Sequence, residues 1–263
     1  MKGSPELALL AVAADKGSPG VTTTALSLAA VWPRRCVLAE LDPFGGDIAY
    51  RLRGPRGVPL SPETGLITLA VGARGGGGPE QLFEHVQRLD GGLEVLLGLA
   101  SGDQSGGMTG LWAPLARVLD RTPAADVIAD CGRLYSQAPT LEVLRNSAGV
   151  LLVARPTIDG VGHLRARLAH LAGELRSAAP DGVPLFVVVI TAARDDKSPA
   201  EIDLVLRQSH IPATVVGRIG YDPAGAGMIT GEWVGRLDKS LLIRSAREVA
   251  GRLARALLPR VGV

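Results

Sequence analysis

Residues 15–24, DKGSPGVTTT, carry residue types that bind phosphate, and they follow the apolar run LALLAVAA at residues 7–14. A buried strand that leads into a glycine-containing turn and then a helix presents backbone N–H groups, which bind phosphate oxygens. In the common phosphate-binding loop, G-x-x-x-x-G-K-[ST], a lysine neutralises the phosphates and a hydroxyl group binds Mg²⁺. Aligned on Gly20, the chain has Thr22 at the hydroxyl position, whereas Val21 occupies the lysine position.

Two further substitutions in this loop weaken the match. Asp15 stands at the first glycine position and is expected to add a negative charge near the phosphates. Pro19 has no backbone N–H to donate. We predict that the remaining loop residues surround the phosphates, namely Gly17, Ser18, Gly20, the backbone of Val21, Thr22 and Thr23.

Two carboxylates follow other apolar runs. Asp42 lies in VLAELDPFGGDIA at residues 37–49, and Asp130 lies in DVIADCG at residues 126–132. A carboxylate at the carboxyl end of a strand, facing the phosphate loop, can hold Mg²⁺ through water. We therefore predict Thr22, Asp42 and Asp130 as the metal-binding residues. The alternative for Asp130 is a helix N-cap or a turn residue.

The elements that position these residues alternate between strands and helices. The strand candidates are continuous apolar runs, which are typical of strands covered on both faces. They lie at residues 7–13, 36–40, 93–97, 126–129, 149–154, 185–190 and 213–216. Helical patterns lie between or after them, at residues 22–31, 79–89, 111–121, 138–146, 160–176, 199–208 and 239–258. This alternation predicts an α/β fold with a doubly wound, mostly parallel sheet, in one domain spanning residues 1–263.

The remaining stretches and the composition exclude several other classes. Residues 51–65 and 72–79 are rich in glycine and proline and are predicted to be surface loops. Cys36 and Cys131 have no metal-site or disulfide spacing and are predicted to be buried thiols. A net charge of +2 gives no argument for a specific nucleic-acid partner. No apolar run approaches the length of a membrane span, so we expect a cytoplasmic protein.

The phosphate-loop segment, residues 16–23 (KGSPGVTT), resembles KGGVGKTT, the deviant Walker A motif of the MinD/ParA ATPases. This resemblance implies a homodimer in which Lys16 reaches the phosphates bound by the partner subunit. Residues 37–49 resemble the switch I segment of the family, which implies that Asp42 positions the attacking water. Residues 126–132 resemble its Walker B and switch II segment, which implies that Asp130 holds Mg²⁺. Lys16 and Asp42 are thus the predicted catalytic residues.

Two later segments extend the resemblance over nearly the whole chain. Residues 149–168 resemble the strand and helix that follow switch II, and residues 215–232 resemble the IPYDP segment near the nucleotide base, with Pro223 at its proline. The family implies ATP and Mg²⁺ as ligands. The loss of the loop lysine is similar to that in CpaE/TadZ-type proteins, which position pilus or secretion machinery.

Two functions remain open from the sequence. The first is an ATP-dependent dimeric switch with weak hydrolysis, which acts with an unknown protein partner in partition, polar positioning or pilus or secretion assembly. The second is a pseudo-ATPase that serves as a protein-binding scaffold. The basic amphipathic pattern at residues 239–258 also leaves two possibilities: contact with a membrane surface, or packing of its apolar stripe on the sheet.

Overall fold

The structure, a computed structural model, describes residues 9–17, 19–179 and 182–257. Its centre is a single eight-stranded sheet with the strand order β3-β4-β2-β5-β1-β6-β7-β8. All neighbouring strands are parallel except β3 and β4. The strands are β1 (Leu9–Ala14), β2 (Cys36–Glu40), β3 (Gln87–Arg88), β4 (Glu94–Leu96), β5 (Asp126–Arg133), β6 (Gly149–Ala154), β7 (Leu185–Thr191) and β8 (Ala213–Gly220). The predicted doubly wound, mostly parallel α/β fold is confirmed.

Helices cover both faces of the sheet, so that the chain builds two apolar layers. Along β1, Leu9 belongs to one layer and Leu10 to the other, as expected for a strand buried on both sides. The helices in the described ranges are α1 (Val21–Val31), α2 (Ile48–Arg51), α3 (Leu66–Arg74), α4 (Leu82–His85), α5 (Trp112–Asp120), α6 (Leu141–Arg145), α7 (Ile158–Glu174), α8 (Ser198–Gln208), α9 (Pro223–Ile229) and α10 (Leu241–Leu257). Helices α3 to α8 supply the first layer, and α1, α2, α9 and α10 supply the second.

The region between β2 and β5 differs most from the sequence prediction. The helix predicted at residues 79–89 is wrong: α4 is only four residues long and is followed by β3, which pairs antiparallel with β4. Helix α3 was not predicted, because its sequence LITLAVGAR mixes β-branched residues with a glycine. Its last three residues, 72–74, fall within the segment predicted to be a loop at residues 72–79. Both errors arise where tertiary packing overrides local propensity.

Helix α10 packs its apolar stripe on the sheet. Leu242, Val249 and Leu253 are buried in the layer that α10 shares with α1, while Arg244 and Arg247 face solvent. This is the second of the two possibilities that the sequence left open for this segment; residues 258–263 lie outside the described residues. Among the helices in the described ranges, none is both long and apolar enough to cross a membrane.

Candidate functional site

The phosphate-loop segment connects the central strand β1 to α1. Strand β1 lies between β5 and β6, where the order of the strands reverses, and ligands of such sheets bind at this position. Gly17 and Gly20 both have left-handed backbone angles, with φ of 83° and 100°. Such angles favour glycine. No side chain caps the N-terminus of α1 among the described residues, so its first N–H groups face the loop. Ser18, a predicted ligand-binding residue, lies outside the described residues.

The charge of Asp15 is not directed at the loop interior, which corrects the expectation from the sequence. Its carboxylate accepts a hydrogen bond from Nε of Arg167 and lies 3.5 Å from Nδ1 of His163, both on α7. Asp15 lines a neighbouring cavity rather than the one formed by the phosphate loop. The substitution of the first loop glycine therefore ties the loop to α7, and His163, which no sequence pattern singled out, is part of that contact.

Asp130 is a buried carboxylate near the end of β5. Its Oδ1 accepts a hydrogen bond from the backbone N–H of Gly132 at 3.1 Å, whereas Oδ2 has no hydrogen-bond partner among the described residues. Its pKa is raised to about 7, mainly by burial and also by the negative charges of Glu40 and Asp42, while the Thr22 side chain and the Gly132 N–H lower it. A buried acceptor without a donor favours a cation or its bound water at this position.

Asp42 lies beside the same strand end. Its Oδ1 accepts a hydrogen bond from the backbone N–H of Phe44 at 2.9 Å. Burial raises the pKa of Asp42, and the charge of Asp47 adds to this effect. Its Oδ2 lies so close to Gly132 that a Cβ on that residue would come within 2.1 Å of it. Because Gly132 also has a φ of 59°, a glycine is needed here to let the carboxylate approach β5.

The predicted residues surround two cavities that meet at the phosphate loop. The first, of about 290 Å³, contains Thr22 and Asp42 in its lining, together with Lys16, Gly20, Val21, Thr23, Asp47, Gly132 and Arg133. The second, of about 330 Å³, is lined by the start of α9, including Pro223 and Tyr221. Both cavities share Pro19, Gly20 and Thr23. The arrangement places a cavity lined by the start of α1 next to a cavity whose lining is partly apolar.

The Val21 side chain is almost fully buried. Only 8% of its surface is exposed, and it belongs to the apolar layer beneath α1. Its remaining surface lines the first cavity. The position that carries the lysine in the common loop thus contributes packing and no charge.

Several charged residues near the cavities were missed by the sequence analysis, among them Glu40, Arg133 and Arg155. Buried Glu40 at the end of β2 accepts hydrogen bonds from the backbone N–H groups of Asp47, Ile48 and Gly98 at 2.9, 3.1 and 3.0 Å. Arg133 lines the first cavity and Arg155 lines the second. The sequence did indicate Glu40, because a charged residue ends an otherwise apolar run. Nothing in the sequence distinguished the two arginines, because the chain is rich in arginine.

Few side chains are available to bind a metal ion directly. Within the described ranges, no group of three or more His, Cys, Asp or Glu side chains could hold one. The Thr22 hydroxyl and the Asp130 carboxylate nevertheless lie next to one another at the phosphate loop. Mg²⁺ commonly binds in this way, with one or two protein groups, waters and the phosphates of a ligand.

Comparisons with known proteins found similarity in structure and none in sequence. No protein-family model and no curated protein sequence matches the chain. A ParA family ATPase from Chlorobium tepidum superposes with a TM-score of 0.70 at 15% identity, over 95% of this chain and 100% of that one. The cell division ATPase MinD from Pyrococcus furiosus gives 0.70 at 16% identity, over 95% and 99%.

A third solved structure has a different activity. Cobyrinic acid a,c-diamide synthase from Mycobacterium smegmatis, with bound ADP and magnesium, superposes with a TM-score of 0.63 at 21% identity, over 98% of this chain and 100% of that one. The chain therefore has the P-loop fold of the ParA and MinD ATPases. Because a synthase has a similar fold, the function must be argued from the site itself.

Proposed function

We propose that this protein binds ATP with Mg²⁺ and acts as an ATP-dependent dimeric switch that hydrolyses ATP weakly or slowly. The observation that carries the proposal is the Asp130 carboxylate, buried beside Thr22 with one oxygen unpartnered among the described residues, at the open N-terminus of α1. The cellular process is partition, polar positioning, or assembly of a pilus or secretion system. These are the processes that the resemblance to MinD/ParA and CpaE/TadZ-type proteins implies.

The residues of the two cavities fit a nucleotide. The backbone N–H groups at the start of α1 would bind the phosphates, with the left-handed glycines shaping the loop. Thr22 and Asp130 would hold Mg²⁺, and Asp42 would accept a hydrogen bond from the attacking water. The cavity that contains Pro223 would receive the base. The bound metal would neutralise charge on the phosphates during their transfer.

Slow hydrolysis follows from Val21. In an ordinary phosphate loop the lysine at this position stabilises charge that grows during phosphoryl transfer, and its loss costs several kcal/mol of transition-state stabilisation. Lys16 is exposed at the rim of the first cavity, and its ammonium group has no hydrogen bond or ion pair with another described residue. A lysine supplied by a partner subunit would partly replace the missing charge, so that turnover would depend on dimerisation.

Exposed apolar side chains on the carboxyl edge of the sheet support a protein contact over this site. Phe44 and Tyr135 follow β2 and β5, and their rings lie 5.7 Å apart with 64% and 36% of their surfaces exposed. Ile158, after β6, is 97% exposed. Exposed apolar groups clustered on one edge mark interaction surfaces. A second subunit is the contact proposed here; an unidentified protein partner would recognise the closed dimer.

A second function is favoured by Val21 itself. If the loop binds nucleotide without turnover, or does not bind it, the protein is a pseudo-ATPase whose fold serves as a scaffold for protein binding. Packing of Val21 in the apolar layer is the observation in favour of this alternative.

Calorimetric titration with MgATP distinguishes these functions. We expect binding with micromolar or poorer affinity, weakened at least about tenfold by Thr22→Val because a metal ligand is lost. The matched control is Thr214→Val, at an exposed position on β8, which should leave the affinity unchanged. Absence of heat and of a thermal shift at saturating MgATP would refute the switch and leave the scaffold.

Turnover and dimerisation provide the second test. ATP hydrolysis and the ATP-dependent mass increase in light scattering should both be lost in Lys16→Ala and retained in Lys197→Ala, which changes an exposed lysine near the start of α8. Equal turnover in the two variants would refute the role of Lys16.

A further inference from the structure

The phosphate-loop cavity contains a second cationic side chain that the loop sequence does not reveal. Of the described residues that line this cavity, two carry a positive charge, Lys16 and Arg133. Arg133 is the last residue of β5, three positions after Asp130. It therefore extends from the same strand that supplies the buried carboxylate.

The backbone around Arg133 is fixed to the phosphate loop. Arg133 pairs with Ala14 in the β1–β5 register, and the N–H of Leu134 donates a hydrogen bond to the carbonyl oxygen of Ala14 at 2.8 Å. The side chain is attached as well, since its Nε donates a hydrogen bond to the carbonyl oxygen of Asp15 at 3.2 Å. The guanidinium group is thus held against the first residue of the loop.

The charge of Arg133 is not neutralised by a carboxylate in the described ranges. Asp15, the acidic residue of the loop itself, instead contacts Arg167 and His163. The Nη atoms of Arg133 have no hydrogen-bond or ion-pair partner among the described residues. A guanidinium whose Nε is anchored and whose two Nη groups, with four N–H donors, are unused can donate a bidentate pair of hydrogen bonds to a phosphate.

We infer that Arg133 binds the phosphates of the nucleotide in the same subunit and replaces the cation that Val21 removes from the loop. This inference rests on the proposed function, because it concerns the same cavity. It assigns the charge to β5 instead of α1, which also explains why burial of Val21 in the apolar layer is tolerated. Binding within one subunit would then not require the lysine of a partner.

The test is titration of the full chain with MgATP in three proteins: wild type, Arg133→Ala and Arg207→Ala. Arg207 is an exposed arginine near the end of α8, away from both cavities, and serves as the matched control. We expect Arg133→Ala to weaken MgATP binding about tenfold or more, because a charge-assisted bidentate contact is lost. Arg207→Ala should change it less than about twofold. Arg133→Ala should weaken the binding of AMP, which lacks the outer phosphates, less than it weakens the binding of ATP.

A charge-rescue variant separates phosphate binding from a structural role. Adding Val21→Lys should restore most of the affinity of Arg133→Ala and should tighten binding more in that variant than in the wild type, because both cations act on the same phosphates; with a structural defect at Arg133 the gain would be equal in both. Equal affinity of wild type and Arg133→Ala, or a loss that Val21→Lys does not restore, would overturn the assignment and leave the proposed function intact. If the wild type binds no MgATP, both the assignment and the proposed function are refuted.

Discussion

Asp130→Asn should stabilise the ligand-free protein at high pH, although it removes a proposed metal-binding group. The pKa of Asp130 rises from 3.8 to about 7 mainly through burial. A folded-state pKa above the unfolded value means that the folded state binds the proton more tightly. The ionised side chain therefore destabilises the fold, by an amount that grows as the pH rises from about 4 to about 7 and is constant above that window.

The size of the effect follows from the shift. Each pKa unit corresponds to about 1.4 kcal/mol, so Asp130 lowers the free energy of unfolding by at most about 4 kcal/mol at pH 8. Asparagine has no charge to bury, and its Oδ1 can still accept the hydrogen bond from the N–H of Gly132. The free energy of unfolding of the variant should therefore exceed that of the wild type by up to about 4 kcal/mol at pH 8, and by only a small part of this at pH 4.5.

Urea unfolding at both pH values, without nucleotide and with the metal chelated, measures this difference. Asp103→Asn, which changes an exposed aspartate, is the control and should give the same free energy of unfolding as the wild type at both pH values. A variant that is less stable than the wild type at pH 8, or a difference that does not depend on pH, would refute the reasoning. With saturating MgATP the order should reverse, because bound ligand stabilises only the protein that holds the metal.

The other predictions concern the loop, the Glu40 contacts and the last helix. Val21→Lys should tighten MgATP binding about tenfold or more, and Val21→Met should not, because only lysine adds charge; equal affinity in calorimetry would show that the loop does not hold phosphates as proposed. Glu40→Ala should lower the free energy of unfolding by about 2–4 kcal/mol, since three backbone N–H groups lose their acceptor, and Glu40→Gln by less; unchanged urea midpoints would contradict this. The full chain, including Val263, should not co-sediment with anionic liposomes, because the apolar stripe of α10 is buried. Co-sedimentation would instead favour contact of this segment with a membrane surface.

The sequence predicted the sheet well because its strands are short, continuous apolar runs. Six of the predicted strands have observed counterparts with similar starts, and β1 agrees within the described residues. The strand ends were less accurate: β5 and β8 continue four residues beyond the predictions at residues 126–129 and 213–216. These extensions include glycines and charged residues, which single-residue propensities place in turns. Pairing with a neighbouring strand continues through them, with an irregularity in each ladder where a glycine has a positive φ.

The candidate site was predictable where a motif fixes the spacing. Thr22, Asp42 and Asp130 were identified from the ends of apolar runs, and the structure brings them together around one loop. The direction of a side chain could not be predicted in this way. Asp15 turns towards α7 because Arg167, more than 150 positions later, binds it. Arg133 could not be distinguished from the many surface arginines until the β1–β5 register placed it beside the loop.

The contacts of Glu40 define how much of the loop after β2 is free to move. One carboxylate oxygen holds the N–H groups of Asp47 and Ile48, at the start of α2, and the other holds the N–H of Gly98, after β4. Gly46 donates a further hydrogen bond to the carbonyl oxygen of Leu99. The segment between β2 and these contacts whose position they leave open is therefore four residues long, 42–45. Any displacement of Asp42 would be confined to this span as long as the Glu40 contacts persist, so a ligand at the phosphate loop could shift Asp42 without displacing α2.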